Sequence, residues 1–199
     1  RPVIVSAGRF TSQKGFPYLL QAFATVRRTI PSTLVLVGDG PDWKMLQQLA
    51  ADLGVSDDIL WPGIDANPYR WMSRGSLFVL SSIYEGFGIV VAEALALGLP
   101  VVATDCLHGP AEILRNGRDG LLVTPGDSSG MADAIMKILS QDSFRRQLAE
   151  SSLVRSEAFS LSTIVPRYSR LFHEAASKTT SPESPFGPLS KSVAEGAPL

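Results

Sequence analysis

The sequence predicts an α/β fold in which a doubly wound, parallel sheet of six strands carries helices on both faces. Short runs that are apolar at every position alternate with longer segments whose apolar residues recur at the 3.6-residue helical period. Glycine and proline separate most of these segments. Strands that are apolar throughout are typical of a parallel sheet covered on both sides, and right-handed crossovers then give the doubly wound arrangement.

The individual elements follow from these patterns. Strands are predicted at residues 3–5, 34–37, 59–61, 77–80, 100–103 and 120–123. Helices are predicted at residues 15–30, 45–53, 67–73, 88–97, 110–115, 129–139, 142–159 and 161–177. Pro31, Gly54 and Gly98 end three of these helices, because proline restricts the residue before it and glycine favours the turn after a helix. Pro62 and Gly63 are expected to break the third strand.

Domain organisation follows from length and composition. The 199 residues are 45% hydrophobic, which suits one ordinary folded domain, and we predict that domain over residues 1–177. Residues 178–199 hold four Pro, two Gly, four Ser and two Thr, so they are predicted to be disordered, extended or held by another surface. The first predicted strand begins at Val3 with almost no lead-in, which suggests a domain cut from a longer polypeptide.

Composition and missing motifs exclude several classes of function. A formal net charge of -1 argues against a broadly basic nucleic-acid binder. A single cysteine excludes an internal disulfide and a multi-cysteine metal site, and no apolar run approaches the length of a transmembrane helix. The dinucleotide-binding G-x-G-x-x-G, the P-loop and the G-x-S-x-G nucleophile elbow are all missing, as is an Asp-x-Asp pair for a metal-bound diphosphate.

The loop after the first strand carries two cations beside a helix start. In an open parallel sheet, ligands bind at the carboxyl ends of the strands, so the loops there are candidate sites. Arg9 and Lys14 lie in the loop at residues 8–15, where the free N–H groups of the following helix also attract anions. An anionic ligand would explain cations at that end of a helix, but two solvated surface charges would give the same sequence.

The loop after the fourth strand offers backbone N–H groups and carboxylates. Gly86 and Gly88 allow the backbone to approach a polar ligand closely, although an ordinary strand-to-helix turn gives the same pattern. Glu93 is the one charged residue between Gly86 and Thr104, so it either reaches solvent or receives hydrogen bonds, for example from sugar hydroxyls. His108 and Cys106 are interpreted as a loop residue and an inert packed thiol.

Six segments together resemble one known family. These segments are SAGRF and QKG within residues 6–15, LVGDGP at 36–41, EGFGIVVAEA at 85–94, GLPVVAT at 98–104, GPAEI at 109–113 and GRDGLLV at 117–123. On these segments the chain resembles the donor-binding domain of GT-B glycosyltransferases of family GT4, whose Glu-x7-Glu motif matches residues 85–94. The likeness runs in order over residues 3–175 and leaves out the tail.

The resemblance implies one Rossmann-like half of a retaining glycosyltransferase that needs no metal and no cofactor. Its substrates would be a nucleotide sugar, expected to be a UDP-sugar, and a glycan or lipid-linked acceptor. The N-terminal acceptor domain would be missing from this chain, so the isolated domain would be inactive in transfer. The whole enzyme would be cytoplasmic, and a lipid-linked acceptor would place it at the inner face of the cytoplasmic membrane.

The resemblance also assigns roles to individual residues. Arg9, Lys14 and Glu85 would form the catalytic set, with the two cations on the diphosphate and Glu85 on the sugar hydroxyls. Glu93 would bind the ribose. The full donor-binding set would be Gly8, Arg9, Lys14, Gly38, Asp39, Gly63, Ile64, Glu85, Gly86, Phe87, Gly88, Ile89 and Glu93, with the loop at 63–64 beside the base.

Two other interpretations stay open. The same architecture could serve another sugar-nucleotide enzyme, such as an epimerase that eliminates the nucleotide, which would need further acid and base groups in the cleft. It could also serve a non-catalytic module that binds a nucleotide or a protein partner. A degenerate module would be expected to have lost Arg9, Lys14 or Glu93, and the sequence retains all three.

Overall fold

The computed structural model describes residues 1–178. These residues belong to two compact units, one of residues Arg1–Ser160 and one that begins at Leu161. The sequence predicts one domain over residues 1–177, whereas in the structure the last helix belongs to the second unit. The predicted tail at 178–199 lies outside the described residues, apart from Lys178, which ends that last helix.

The first unit is built on one parallel sheet of six strands, which confirms the predicted fold class. The strands are β1 (Val3–Ala7), β2 (Thr33–Val37), β3 (Ile59–Gly63), β4 (Leu77–Leu80), β5 (Val101–Thr104) and β6 (Leu121–Val123). Their order in the sheet is β3-β2-β1-β4-β5-β6, so the direction of strand addition reverses between β1 and β4. In the register, Ile4 lies opposite Leu34 on one side and Leu77 on the other.

Helices cover both faces of the sheet and give it two apolar cores. The helices of the first unit are α1 (Phe16–Thr29), α2 (Trp43–Asp52), α3 (Tyr69–Met72), α4 (Ile89–Ala96), α5 (Pro110–Ile113), α6 (Ser128–Ser140) and α7 (Asp142–Ser156). Ile4 belongs to a core shared with α1, α2 and α6, whereas its neighbour Val5 belongs to a core shared with α3, α4 and α5. Successive strand residues therefore enter opposite cores, which is why the strands are apolar at every position.

Three local features differ from the sequence predictions. Strand β3 continues through Pro62 to Gly63 instead of breaking there, with a register shift against β2. Because β3 is an edge strand, one of its sides pairs with no other strand, and a proline, which has no N–H, is tolerated there. A 3-10 turn precedes α1 at Ser12–Lys14, and a second one at Glu157–Phe159 follows α7, whose predicted span was continuous.

A buried carboxylate joins the segment after α5 to α7. Asp119 is fully buried, and its Oδ1 accepts hydrogen bonds from Arg115 Nη2 and Ser151 Oγ, both at 2.6 Å. Burial alone would raise the pKa of Asp119, but the hydrogen bonds from these two partners outweigh burial and hold the pKa below its usual value. The ionised carboxylate therefore contributes to the stability of the first unit.

The second unit begins with α8 (Leu161–Lys178), as the helical period predicts. Its apolar residues Leu161, Val165, Tyr168 and Phe172 recur at helical spacing, so the helix is amphipathic. No helix within residues 1–178 is long and apolar enough to cross a membrane.

Candidate functional site

A cleft of about 780 Å³ opens at the carboxyl ends of β1 and β2, beside the start of α4. The strand order reverses between β1 and β4, so the loops after these two neighbouring strands lead to helices on opposite faces of the sheet. The cleft lies at the point where these loops diverge. The cleft is lined by Ala7, Gly8, Arg9, Lys14, Val37, Gly38, Asp39, Gly40, Ile64, Asp65, Pro68, Met72, Glu85, Gly88, Ile89, Val90 and Glu93.

Phe10 anchors the loop after β1. Its fully buried ring packs against Phe16, Trp43 and Trp61, with ring centroids 4.9, 5.5 and 5.8 Å away. The backbone of Phe10 also donates to the carbonyl of Asp39 at 2.9 Å, which ties this loop to the one after β2. The neighbouring Arg9 is thereby held at the cleft while its own side chain stays exposed.

The loop after β1 is also fixed to the loop after β4. Gly15 has a φ of +60°, and a Cβ at this position would lie 2.1 Å from the carbonyl oxygen of Ser81, so only glycine allows this approach. The Ser81 hydroxyl donates to the Lys14 carbonyl at 2.8 Å, and the Ile83 N–H donates to the Gln13 carbonyl at 2.8 Å. The two loops that carry the predicted cation and carboxylate are therefore locked together.

Lys14 and Glu85 form an ion pair in this locked arrangement. Lys14 Nζ lies 2.5 Å from Glu85 Oε1, and the hydroxyl of the buried Ser82 donates to the same oxygen at 2.7 Å. The side chains of Lys14 and Glu85 are only 19% and 8% exposed. Within residues 1–178, Glu85 Oε2 receives no hydrogen bond, so one carboxylate oxygen stays available to a ligand.

Arg9 supplies a second positive charge at the cleft. It forms no ion pair with any other residue of the described chain, whereas the charge of Lys14 is balanced by Glu85. Helix α4 begins at the same cleft, after Gly88 in a left-handed conformation, and Gly88, Ile89 and Val90 all line it. A helix start of this kind presents unpaired N–H groups, so this end of the cleft suits an anion such as a diphosphate.

Glu93 lies in α4 and also lines the cleft. Its Oε1 accepts a hydrogen bond of 2.9 Å from the hydroxyl of Tyr69, the first residue of α3. This hydrogen bond, together with the negative charge of Glu93, raises the pKa of Tyr69 above its ordinary value. The buried residues on either side, Val91, Ala94 and Leu95, hold the backbone of α4 against the core.

A further carboxylate of the cleft, Asp65, lies in the loop between β3 and α3. Asp65 Oδ1 accepts the N–H of Asn67 at 2.9 Å, and Oδ2 accepts the indole N–H of Trp71 at 2.7 Å. These hydrogen bonds, the backbone one first, lower the pKa of Asp65, and the guanidinium of Arg70 adds to the effect. These contacts hold the loop next to Ile64, a lining residue that is 81% exposed.

Residues 1–153 match the family model of glycosyl transferases group 1. The chain belongs to this family. The match covers both walls of the cleft and confirms the resemblance drawn from the motifs.

Individual relatives of this group 1 glycosyltransferase chain point the same way. It is 40% identical to the lipopolysaccharide core biosynthesis glycosyltransferase LpsE of Rhizobium meliloti, over 75% of this chain and 43% of LpsE. Among solved structures, Alr3699/HepE of Anabaena in complex with UDP and glucose superposes with a TM-score of 0.80 at 27% identity, covering 86% of this chain and 48% of that one. The chain spans half or less of the length of the first curated relatives it matches.

A third comparison concerns a separate domain. The C-terminal domain of a group 1 glycosyltransferase (LpcC) of Francisella tularensis has been crystallised and superposes with a TM-score of 0.73 at 27% identity, covering 82% of this chain and 87% of that one. The fold of this group 1 glycosyltransferase chain is therefore the Rossmann-like architecture of GT-B enzymes.

Most residues predicted for donor binding lie in the cleft. Gly63, Gly86 and Phe87 are the exceptions and do not line it. Ten of the predicted residues do line it: Gly8, Arg9, Lys14, Gly38, Asp39, Ile64, Glu85, Gly88, Ile89 and Glu93. Their contacts with a donor remain predictions, because the cleft establishes only that they share one surface.

Three residues that bear on the site were not predicted: Asp65, which lines the cleft, and Ser82 and Tyr69, which lie outside the lining and contact its glutamates. Asp65 was not selected, although its position directly after a strand was the available indication. Ser82 and Tyr69, which hold Glu85 and Glu93, had no sequence pattern that pointed to them. Cys106 is 4% exposed, and burial raises the pKa of its thiol, in keeping with an inert packed residue. His108 is exposed and does not line the cleft.

Proposed function

We propose that this chain is the donor-binding half of a retaining, metal-independent glycosyltransferase. The donor is a nucleotide sugar, of which a UDP-sugar is the form we propose, and the acceptor is a glycan or a lipid-linked sugar. The observation that carries the proposal is the ion pair of Lys14 and Glu85 in a cleft that also holds the start of α4 and Arg9, which has no ion-pair partner within residues 1–178. The UDP bound to HepE, a relative of the same fold, supports the choice of nucleotide.

The diphosphate takes the end of the cleft formed by Arg9, Lys14 and α4. When the bond between the sugar anomeric carbon and the phosphate oxygen breaks, negative charge develops on the leaving nucleoside diphosphate. Each cation at about 4 Å from that charge stabilises it by about 4 kcal/mol at an effective dielectric constant of 20. The N–H groups at the start of α4 add fixed dipoles, so this end of the cleft supplies without a metal what Mg²⁺ supplies elsewhere.

The sugar and the nucleoside occupy the two sides of the diphosphate. Glu85 accepts hydroxyls of the donor sugar through Oε2, since Oε1 is already bound by Lys14 and Ser82. Hydrogen bonds of this charge-assisted kind contribute about 1.5–3 kcal/mol each. Glu93 accepts the ribose hydroxyls, and the backbone at Gly63 and Ile64 lies beside the base. The acceptor binds to a further domain of a longer protein, so this chain alone binds donor and transfers nothing.

Calorimetry on this chain tests the proposal. We expect the wild type to bind UDP in the presence of EDTA. We expect Arg9→Ala to weaken UDP binding at least about tenfold, because the diphosphate then loses one of its two cations. Arg146→Ala is the matched control, because Arg146 is an exposed arginine of α7 far along the chain from the cleft loops. If UDP binds only with Mg²⁺, or binds Arg9→Ala as tightly as the wild type, the diphosphate assignment is wrong. In the full-length enzyme, NMR of the product shows whether the anomeric configuration is retained.

A further inference from the structure

The two glutamates of the cleft share one feature, namely that a protein hydroxyl occupies Oε1 and leaves Oε2 unbonded within residues 1–178. For Glu85 the hydroxyl comes from Ser82, three residues away in the same loop. For Glu93 it comes from Tyr69, which is 24 residues away and belongs to a different helix. The second contact is the more informative one, because it joins two separately anchored elements.

The hydrogen bond itself is exposed, but the two helices that carry Tyr69 and Glu93 are each anchored in the core. On the tyrosine side, Met72 of α3 is fully buried and the Trp71 indole donates to Asp65. On the glutamate side, α4 is anchored through Val91 and Ala94. A glutamate side chain has several rotatable bonds, and ordering it for a ligand costs conformational free energy at the moment of binding. A hydrogen bond from the Tyr69 hydroxyl, which an anchored helix carries, orders the Glu93 side chain beforehand.

We propose that Tyr69 is a positioning residue for the nucleotide: its hydroxyl holds Glu93 Oε1 so that Oε2 accepts the ribose hydroxyls. Tyr69 itself does not line the cleft and acts through Glu93. The proposal rests on the ribose role that the proposed function gives to Glu93. It assigns α3 a part in nucleotide recognition, because α3 follows directly on the loop that carries Ile64 and Asp65.

The test compares two nucleotides on Tyr69→Phe, which removes the hydroxyl and keeps the ring. The probes are UDP and 2′,3′-dideoxy-UDP, measured by calorimetry on this chain. We expect Tyr69→Phe to weaken UDP binding by about three- to tenfold and to leave dideoxy-UDP binding unchanged, because the dideoxyribose has no hydroxyl that could donate a hydrogen bond to Glu93. Tyr18→Phe is the matched control, since the Tyr18 side chain is partly buried and its hydroxyl makes no hydrogen bond within the described part of the chain.

Glu93→Gln separates this inference from the proposed function. If the wild type prefers UDP over dideoxy-UDP and Glu93→Gln loses that preference, the ribose role of Glu93 holds. Should Tyr69→Phe then keep the full preference, or weaken both nucleotides equally, the positioning role is overturned and Tyr69 merely joins α3 to α4. Should Glu93→Gln keep the preference, the ribose role fails and the role of Tyr69 fails with it. Thermal unfolding of each variant confirms that it is folded.

Discussion

Replacing Glu85 with glutamine removes the charge that lies 2.5 Å from the Lys14 ammonium and keeps the volume of the side chain. In this variant the Lys14 ammonium binds the diphosphate with no carboxylate competing for it. We therefore expect Glu85→Gln to bind UDP more tightly than the wild type, even though it weakens the contact to the donor sugar. A tighter product complex together with lower transfer by the full-length enzyme is the characteristic outcome.

The magnitude follows from the geometry of the ion pair. A phosphate oxygen bonded to Lys14 would lie about 2.8 Å from Nζ, so phosphate and carboxylate would be about 5 Å apart with the ammonium between them. Two unit charges of like sign at that distance repel by about 3 kcal/mol at an effective dielectric constant of 20. Because the cleft opens to water, we take about half of that repulsion as effective, which corresponds to UDP binding that is about tenfold tighter.

Calorimetry with UDP at low and high salt measures this change. The gain should shrink as salt is added, since screening weakens the repulsion that the substitution removes. Glu150→Gln is the matched control, because it removes an exposed carboxylate from α7 and lies outside the cleft. If Glu85→Gln binds UDP more weakly than the wild type, or if Glu150→Gln gives the same gain, Glu85 does not restrain Lys14 and the reasoning fails.

Three further predictions concern the framework of the site and its first unit. Gly15→Ala should lower the free energy of unfolding in urea by at least about 2 kcal/mol more than Gly54→Ala does. Both glycines have positive φ, but of the two only Gly54 has open space for a Cβ. Equal losses of stability would show that the backbone moves to relieve the clash at Gly15. Phe10→Ala should lower the free energy of unfolding by about 3–5 kcal/mol in the same assay and weaken UDP binding, because the ring anchors the loop that carries Arg9. Unchanged UDP binding would show that the Phe10 packing does not position Arg9. Asp119→Asn should be about 3 kcal/mol less stable at pH 7. The pKa of Asp119 is lower in the folded protein than the ordinary 3.8, so its carboxylate stabilises the fold above pH 3.8 and this stabilisation is lost as the pH falls through the folded pKa. The free energy of unfolding, measured in urea at a series of pH values below 3.8, should therefore fall less steeply for Asp119→Asn than for the wild type.

The fold was predictable because burial on both faces leaves a plain record in the sequence. Each strand had to be apolar at successive positions, as Ile4 and Val5 are, since the two enter different cores. Edge effects left no such record. The extension of β3 through Pro62 depends on its place at the edge of the sheet, which only the strand order reveals.

The candidate site was predictable to the level of loops and not of contacts. The rule that ligands bind at the carboxyl ends of parallel strands located the loops that carry Arg9 and Glu85. It did not predict that Lys14 and Glu85 bind each other, because the two are 71 residues apart and meet only through the approach at Gly15. The lining of the cleft likewise depends on backbone direction, and the turn after β4 places Gly88 in the lining while Gly86 and Phe87 lie outside it.

The aromatic packing beneath the cleft also makes the protein its own spectroscopic probe. All three tryptophans of the chain adjoin the candidate site: Trp43 and Trp61 pack on Phe10, and the Trp71 indole donates to Asp65. Indole emission responds to the polarity and hydrogen bonding of its surroundings, so a ligand that shifts either loop would change the fluorescence without any attached dye. Single tryptophan-to-phenylalanine variants would then distinguish movement at the Phe10 anchor from movement at the α3 side of the cleft.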